Sequence, residues 1–481
     1  MSSTRSRARG TCRVLAWLAL ASVSLPAGAI EPANAINGAT LSPLWIIPFA
    51  GIVLSIALGP VTAPGFWQDH FGKTTAFWTL AFVVPFAVQF GPQLVVHEVV
   101  HTLLTEYLPF IILLVALFTV SGGIHIGGAL RGSAACNTGL LAVGTVLASL
   151  MGTTGAAMLL IRPLLRANQA RRHRAHVVVF FIFLVANIGG ALTPLGDPPL
   201  FLGFLKGVDF FWTTRAMLLP TLTASTILLA AFFVLDRWLW RYEKAHAMLR
   251  APAKGERTLR LDGTLNLVLL ALVVGSVLLS GVWKSELGVT IAGARIELQD
   301  AVRDALLVGV AAASWRWTPR RVRQANDFSF APMTEVAMLF AGIFLTIIPA
   351  LAILRAGHDG VLAPLLALLA GTEGQPANDL YFWLTGVLSS VLDNAPTYLV
   401  FFNLAGGDAG ALTGPLASTL TAISAGAVFM GANTYIGNAP NFMVKAIAES
   451  RGVRMPTFLG YLGWSMLVLM PIYALLTLLF F

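Results

Sequence analysis

Two stretches decide how this chain folds: Leu192-Thr-Pro-Leu-Gly-Asp-Pro-Pro-Leu-Phe201 and Asn433-Thr-Tyr-Ile-Gly-Asn-Ala-Pro-Asn-Phe442. They align at a shift of 241, so that Thr193, Gly196, Pro199 and Phe201 recur as Thr434, Gly437, Pro440 and Phe442. Each lies in a long apolar run and must interrupt a helix, because proline lacks a donor and clashes with the preceding turn. A second pair, Leu147-Ala-Ser-Leu-Met-Gly-Thr-Thr-Gly155 and Leu388-Ser-Ser-Val-Leu-Asp-Asn-Ala-Pro396, aligns at the same shift. Two motifs sharing one offset mark an internal repeat.

Composition sets the frame around these motifs. The chain is 57% hydrophobic and 11% charged, and its mean hydropathy is +0.79. Soluble domains carry about a quarter charged residues, so the sequence reads as an all-α integral membrane protein. The formal charge of +9 gathers in a few short loops, which is the positive-inside bias rather than a nucleic-acid footprint. Cys12 and Cys136 are too few for a disulfide framework or a Cys-rich metal site. Residues 1–35 read as a signal peptide or an uncleaved anchor. Arg5, Arg7, Arg9 and Arg13 precede a short apolar core, followed by Ala27-Gly28-Ala29 and Ala33-Asn34-Ala35.

About ten spans are expected, at 43–60, 74–91, 107–124, 175–206, 216–236, 263–283, 300–317, 333–355, 416–448 and 457–479. The span at 300–317 is the weakest, shortened by Asp300, Arg303 and Asp304. Four basic loops should face the cytoplasm: Arg162 to Arg174, Arg237 to Arg260, Arg316 to Arg323, and Lys445 to Arg454. With residue 36 outside, these loops share one side only if 138–161 and 379–405 each enter and leave on the same face. Charge counting thus marks both as re-entrant hairpins. Such backbone survives at membrane depth only where protein or a cavity surrounds it. The organisation expected is a first repeat at 36–240 (hairpin 138–161, broken helix 175–206), a cytoplasmic linker at 241–262, and a second repeat at 263–481 (hairpin 379–405, broken helix 416–448). The broken helix 175–206 runs outward and 416–448 inward, so the repeats are inverted. Inverted repeats with Gly/Pro-broken helices point to a transporter with a midplane site.

The breaks supply the chemistry. Interrupted helices free carbonyls and helix ends that coordinate small ions and orient ligands. The first hairpin tip holds Thr153 and Thr154, and the second holds Asp393, Asn394 and Thr397. Asp197 lies in the first break, so each half-site carries one acid. Buried membrane acids are costly and usually functional; these two are expected to bind Na⁺ or carry a proton. Asn187, Thr193, Asn433, Thr434 and Asn438 complete the candidate ion- or substrate-binding set. The bland alternative for each aspartate is a helix cap. Lys206 and Lys445 are expected to snorkel to the surface, which tilts the site toward cations.

Asn187-Ile-Gly-Gly-Ala-Leu-Thr-Pro-Leu-Gly-Asp-Pro-Pro199 is similar to the break motif of arsenite-efflux permeases, the P-protein group and D-type sodium/proton antiporters. Leu388-Ser-Ser-Val-Leu-Asp-Asn-Ala-Pro-Thr397 resembles the second hairpin of D-type antiporters and citrate–metal symporters. The likeness runs from about residue 40 to the end and is to the ion-transporter superfamily, within a bacterial group labelled both sodium:proton antiporter and citrate transporter. It implies an elevator-like fold with scaffold and transport domains, often homodimeric, in the bacterial inner membrane. Dicarboxylate symporters of the superfamily carry Ser-Asn-Thr in both hairpins; this chain has neither copy.

His97-Glu98-Val99-Val100-His101 fits the H-E-x-x-H zinc pattern, which makes an intramembrane metalloprotease the rival from another class, with Asp393 as a conceivable third ligand. The motif is placed in an external loop, with an interfacial helix carrying titratable histidines as the bland alternative, and the repeat does not reproduce it. The sequence therefore reads as a non-enzymatic secondary transporter, with Na⁺/H⁺ antiport first and citrate or another small anion as the alternative. No cofactor is expected beyond the transported or coupling Na⁺ and H⁺. The expected partners are the lipid bilayer and small ions or a small organic anion.

Overall fold

A computed structural model describes residues 36–128, 130–249, 260–291, 293–369 and 376–481. The leader expected over 1–35 and linker residues 250–259 lie outside it. The first half runs α1 (Ile47–Thr62), α2 (Pro64–Phe90), α3 (Pro92–Thr102), a π-turn (Leu103–Tyr107) and α4 (Leu108–Ser121). It continues through α5 (Ala134–Met151), α6 (Thr153–Ala167), α7 (Ala175–Leu184), α8 (Pro198–Leu205) and α9 (Phe210–Leu249). The second half runs α10 (Leu265–Val282), α11 (Leu298–Trp317), α12 (Ala331–Thr346), α13 (Ile348–Arg355), α14 (Asn378–Val391) and α15 (Asn394–Leu404). It ends with α16 (Ala417–Met430), α17 (Ala439–Ser450) and α18 (Phe458–Phe480).

Among the described residues, eight helices are long and apolar enough to cross a membrane, or nine if α12 and α13, bent by 43° at Ile347, form one span. Seven of the eight are expected spans; the eighth is α5 (Ala134–Met151), expected as one leg of the first hairpin, and of the three expected spans not among them 333–355 is the bent pair. The 300–317 segment is helical, but four charged residues keep it below the apolarity of a span. The 416–448 segment is divided between α16 and α17. Two small sheets also qualify the all-α expectation. β1 (His125–Gly127) pairs antiparallel with β2 (Arg260–Asp262), and β3 (Gly288–Ile291) pairs with β4 (Ala294–Glu297).

Both expected hairpins turn where the tip residues dictate. Gly152, at φ 79°, divides α5 from α6, a left-handed conformation that glycine adopts at no steric cost. The chain then returns. Asn137 Nδ2 donates to Asn168 Oδ1 (2.9 Å), and Asn168 Nδ2 donates back to Asn137 Oδ1 (2.8 Å), closing the base of the hairpin. In the second hairpin, Leu392 and Asp393 separate α14 from α15. The rings of Tyr381 and Phe401, near the two open ends, meet edge-on at 6.4 Å. The helix α7 is buried from His176 to Leu184 and apolar on every side beyond His176, as a helix at the centre of a bundle must be.

The basic loops converge on one face. Asp327 accepts from Arg162 and Arg451, both at 3.4 Å. Arg174 Nη2 donates to the Gly452 carbonyl (2.8 Å), and Arg166 donates to the Ile126 carbonyl in β1. Asn326 donates to the Gly122 and Ile124 carbonyls (3.0 and 2.7 Å), and β2 brings the linker to the same place. All four loops that the charge bias groups together are therefore physical neighbours. One member departs from its expected role: Arg171 is turned inward. Its Nη1 lies 2.6 Å from Asp236 Oδ1, with the two side chains 1% and 0% exposed. His176 Nε2 and Asn137 Nδ2 complete the cluster around that carboxylate, at 2.8 and 2.9 Å.

The contrast between two arginines of one loop is testable. Arg171→Leu strands a buried carboxylate and should destabilise by about 3–5 kcal/mol. Arg162→Leu faces Asp327, whose side chain is 65% exposed, and should cost about 0–1 kcal/mol. Thermal unfolding in detergent should show a large fall in midpoint for the first variant and little change for the second.

Candidate functional site

The two breaks are built alike. Thr193 Oγ1 donates to the Ser149 carbonyl of α5 and accepts from Leu195 N (3.2 Å). At the shift of 241, Thr434 Oγ1 donates to the Ser390 carbonyl of α14 (2.6 Å) and accepts from Ile436 N (3.2 Å). Ser149 Oγ donates to the Gly189 carbonyl and accepts from Leu192 N (3.2 Å). Ser390 Oγ donates to the Met430 carbonyl (3.0 Å) and accepts from Asn433 Nδ2 (2.8 Å). Each hairpin thus staples the unwound segment beside it. The glycines are required by close backbone approach: a Cβ on Gly196 would sit 2.1 Å from the Gly190 carbonyl oxygen, and one on Gly437 would sit 2.6 Å from that of Gly431.

At the centre lies Asp197, 1% exposed. Its Oδ1 accepts from Thr153 Oγ1 (3.0 Å) and Asn438 Nδ2 (3.2 Å), and its Oδ2 accepts from Asn394 Nδ2. Thr153 and Asn394 occupy equivalent positions of the two tips, and Asp197 and Asn438 occupy equivalent positions of the two breaks. Both halves therefore meet on one carboxylate whose donors are all neutral. Asn394 is fully buried and its Oδ1 has no hydrogen-bond partner, leaving a carbonyl-type oxygen beside the acid.

Asp393 stands differently. Its side chain accepts from Ala395 N (3.3 Å) and caps α15, so the cap reading holds for it. It is also half-buried and lines the same cavity as Asp197. That cavity holds about 50 Å³, with Thr153, Thr154, Asp197, Asp393 and Asn438 on one side. The apolar wall opposite comes from α4 (Phe110, Leu113, Leu117) and α12 (Met333, Val336, Phe340).

The other expected residues hold backbone. Asn187 Nδ2 donates to the Ile182 carbonyl and Asn441 Oδ1 (both 2.8 Å), while its Oδ1 accepts from Asn438 (3.2 Å). Thr397 Oγ1 donates to the Asp393 carbonyl (3.0 Å). Thr193, Asn433 and Thr434 serve the staples. Sequence reasoning missed Asn441, which donates to the Gly431 and Thr434 carbonyls (both 2.9 Å). It also passed over Ser149 and Ser390, although they recur at the shift of 241 within the quoted hairpin stretches.

Two expectations are corrected. His97-Glu98-Val99-Val100-His101 lies within α3 rather than in a loop, with the two histidine rings 6.3 Å apart. Among the described residues, no group of three or more His, Cys, Asp or Glu side chains is placed to hold a metal ion. Lys206 does not extend freely to the surface: it is half-buried, 18% exposed, and pairs with Glu106.

Over residues 38–481 the chain matches the family described as "Putative citrate transport", and it belongs to that family. No curated protein matches it.

The glycine packing yields a clean comparison. Gly196→Ala and Gly437→Ala drive a methyl into backbone and should each destabilise by about 1–3 kcal/mol or more. Gly275→Ala, in α10 with open space around it, should be neutral or stabilising by up to about 1 kcal/mol. Detergent-stable yield and melting temperature check the order.

Proposed function

We propose that this member of the citrate-transport family is a multi-pass secondary transporter of citrate or a related small carboxylate, driven by a cation, Na⁺ or H⁺, taken up at Asp197. One observation carries the reading: Asp197 is buried with neutral donors only. The other deeply buried carboxylate, Asp236, has Arg171 at 2.6 Å as a built-in counter-ion. An ionised carboxyl without such a partner is costly away from water. Asp197 must take its positive charge from solution, as a proton or a bound cation. Thr153 Oγ1, the free Oδ1 of Asn394 and the half-buried Asp393 are the oxygens at hand for such a cation.

In this reading 134–167 and 378–404 are re-entrant hairpins, and the two broken helices run in opposite directions through the bilayer. The convergence of the four basic loops supports it, since the α5–α6 pair then leaves the membrane on the side it entered. The basic face is cytoplasmic by the positive-inside bias. Alternating access then moves the site between faces.

A second reading, Na⁺/H⁺ antiport without an organic substrate, is favoured by the cavity itself. It has the volume of an ion with a few waters, and no Lys, Arg or His lines it.

Flux in proteoliposomes separates the two. Radiolabelled citrate uptake driven by an imposed Na⁺ or pH gradient is the expected result, falling to background in Asp197→Asn and only partly in Asp393→Asn. Sodium-dependent collapse of a pH gradient with no citrate uptake would favour antiport. Persistence of either flux in Asp197→Asn would remove Asp197 from the mechanism.

A further inference from the structure

One half-buried ion pair joins the site to the helix that walls it. Lys206 caps the C-terminal end of α8, and Asp197 caps the N-terminal end. Eight helical residues between them make a rod about 12 Å long. The Lys206 ammonium pairs with Glu106 Oε1, the side chains being 18% and 14% exposed. A helix C-terminus favours a cation, so α8 itself holds Lys206 in place. Glu106 belongs to the π-turn 103–107; such turns insert a residue into a helix, re-aim its side chains and recur at functional sites. Directly after that turn, α4 supplies Phe110, Leu113 and Leu117 to the cavity wall. The pair thus binds the far end of the rod that carries Asp197 to the helix facing Asp197.

Its location gives it a direction. The basic loops lie past the C-terminal end of α4, and Glu106 lies at the opposite end of that helix. Beside the pair a polar cavity of about 350 Å³ is lined by Leu104, Thr105, Leu205, Gly207, Asp209 and Arg303, among others. That cavity reaches the chain neighbours of both residues, Thr105, Leu205 and Gly207, on the face opposite the basic loops.

We infer that Glu106 and Lys206 are positioning residues: their ion pair holds α8, and with it Asp197, against α4, and must part before the site opens toward the face opposite the basic loops. This rests on the alternating-access reading above. A shift of α8 along α4 separates the two side chains first, because they sit at the mouth of the contact. The apolar wall at Phe110 and Leu113 parts only after them.

Accessibility of a single thiol tests this with no substrate present. Val336→Cys reports from the cavity wall, in a chain whose Cys12 and Cys136 are replaced by serine. A membrane-impermeant maleimide is applied to oriented vesicles from the face opposite the basic loops. Glu106→Gln and Lys206→Met should each raise the labelling rate about tenfold, the population shift expected when a closed state loses a half-buried ion pair. The charge-swapped double variant Glu106→Lys/Lys206→Glu should return to within about twofold of the parent, because the two sites are coupled. Glu106→Asp, which keeps the charge but shortens the reach, covers the case in which the neutral variants do not fold, and should also label faster. Parental labelling in the single variants, or fast labelling in the swap, would overturn the assignment. A chain that labels as expected yet moves neither citrate nor Na⁺ would refute the proposed function and leave the tether standing.

Discussion

A backbone that leaves the helix inside an apolar layer strands amides and carbonyls that lipid cannot satisfy. Both unwound segments of this protein meet that constraint with short polar side chains, some their own and some from the hairpin alongside. Ser149 and Thr193 close the first break, Ser390 and Thr434 close the second, and Asn441 takes two further carbonyls. Pulling a hairpin away from its break would leave several buried groups unpaired at about 1–3 kcal/mol each. The hairpins and broken helices are therefore bound to act as one body. The position of Asp197 is a consequence of that binding, since its donors Thr153 and Asn394 sit on the hairpin tips.

The same shift of 241 that relates the staples also relates the residues that differ. The acid of one break, Asp197, answers to Asn438 in the other, and the two are hydrogen-bonded to each other. The hydroxyl of one tip, Thr153, answers to the amide of Asn394. Where the backbone must be satisfied, the halves keep the same chemistry. Where the ligand would sit, they diverge into one charged group surrounded by neutral donors. Two equivalent carboxylates meeting at that point would repel each other in a medium that screens poorly, so the divergence follows from the convergence.

Much of this was legible in the chain. The breaks at 193–197 and 434–438 follow from Gly and Pro inside apolar runs, and the hairpin turns follow from Gly152 and the Asp393 cap. The loops that charge bias groups on one side are in contact. Long-range partnership was not legible. Asn394 reaches Asp197 across 197 residues of sequence, and no local pattern says which of several membrane-depth polar residues will meet. Arg171 looks like any other arginine of its loop, yet it is buried against Asp236. Lys206 has the stem to snorkel, and Glu106 holds it instead. The weakest expected span, 300–317, fell below span apolarity for the reason its charges already gave.

The comparison of Asp236 with Asp197 says which buried charges are structural. Asp236 is saturated: Arg171, His176 and Asn137 bond it, and a cationic partner is part of the fold whether or not anything is transported. Its removal would be felt as instability. Asp197 makes as many bonds, all to groups without charge, so the fold orients it without neutralising it. On the proposed function, neutralisation is left to the cation that the protein takes up and releases. A site completed by folding has nothing to carry, whereas one left a single positive charge short has affinity for a cation and a reason to close once it is filled. In the proposed transport cycle the neutral donors set the geometry in advance, and the cation brings the remaining free energy when it binds, so that closure is coupled to occupancy. That difference in partners, rather than depth or burial, is what separates Asp197, the proposed acid of the transport site, from Asp236, which holds helices together.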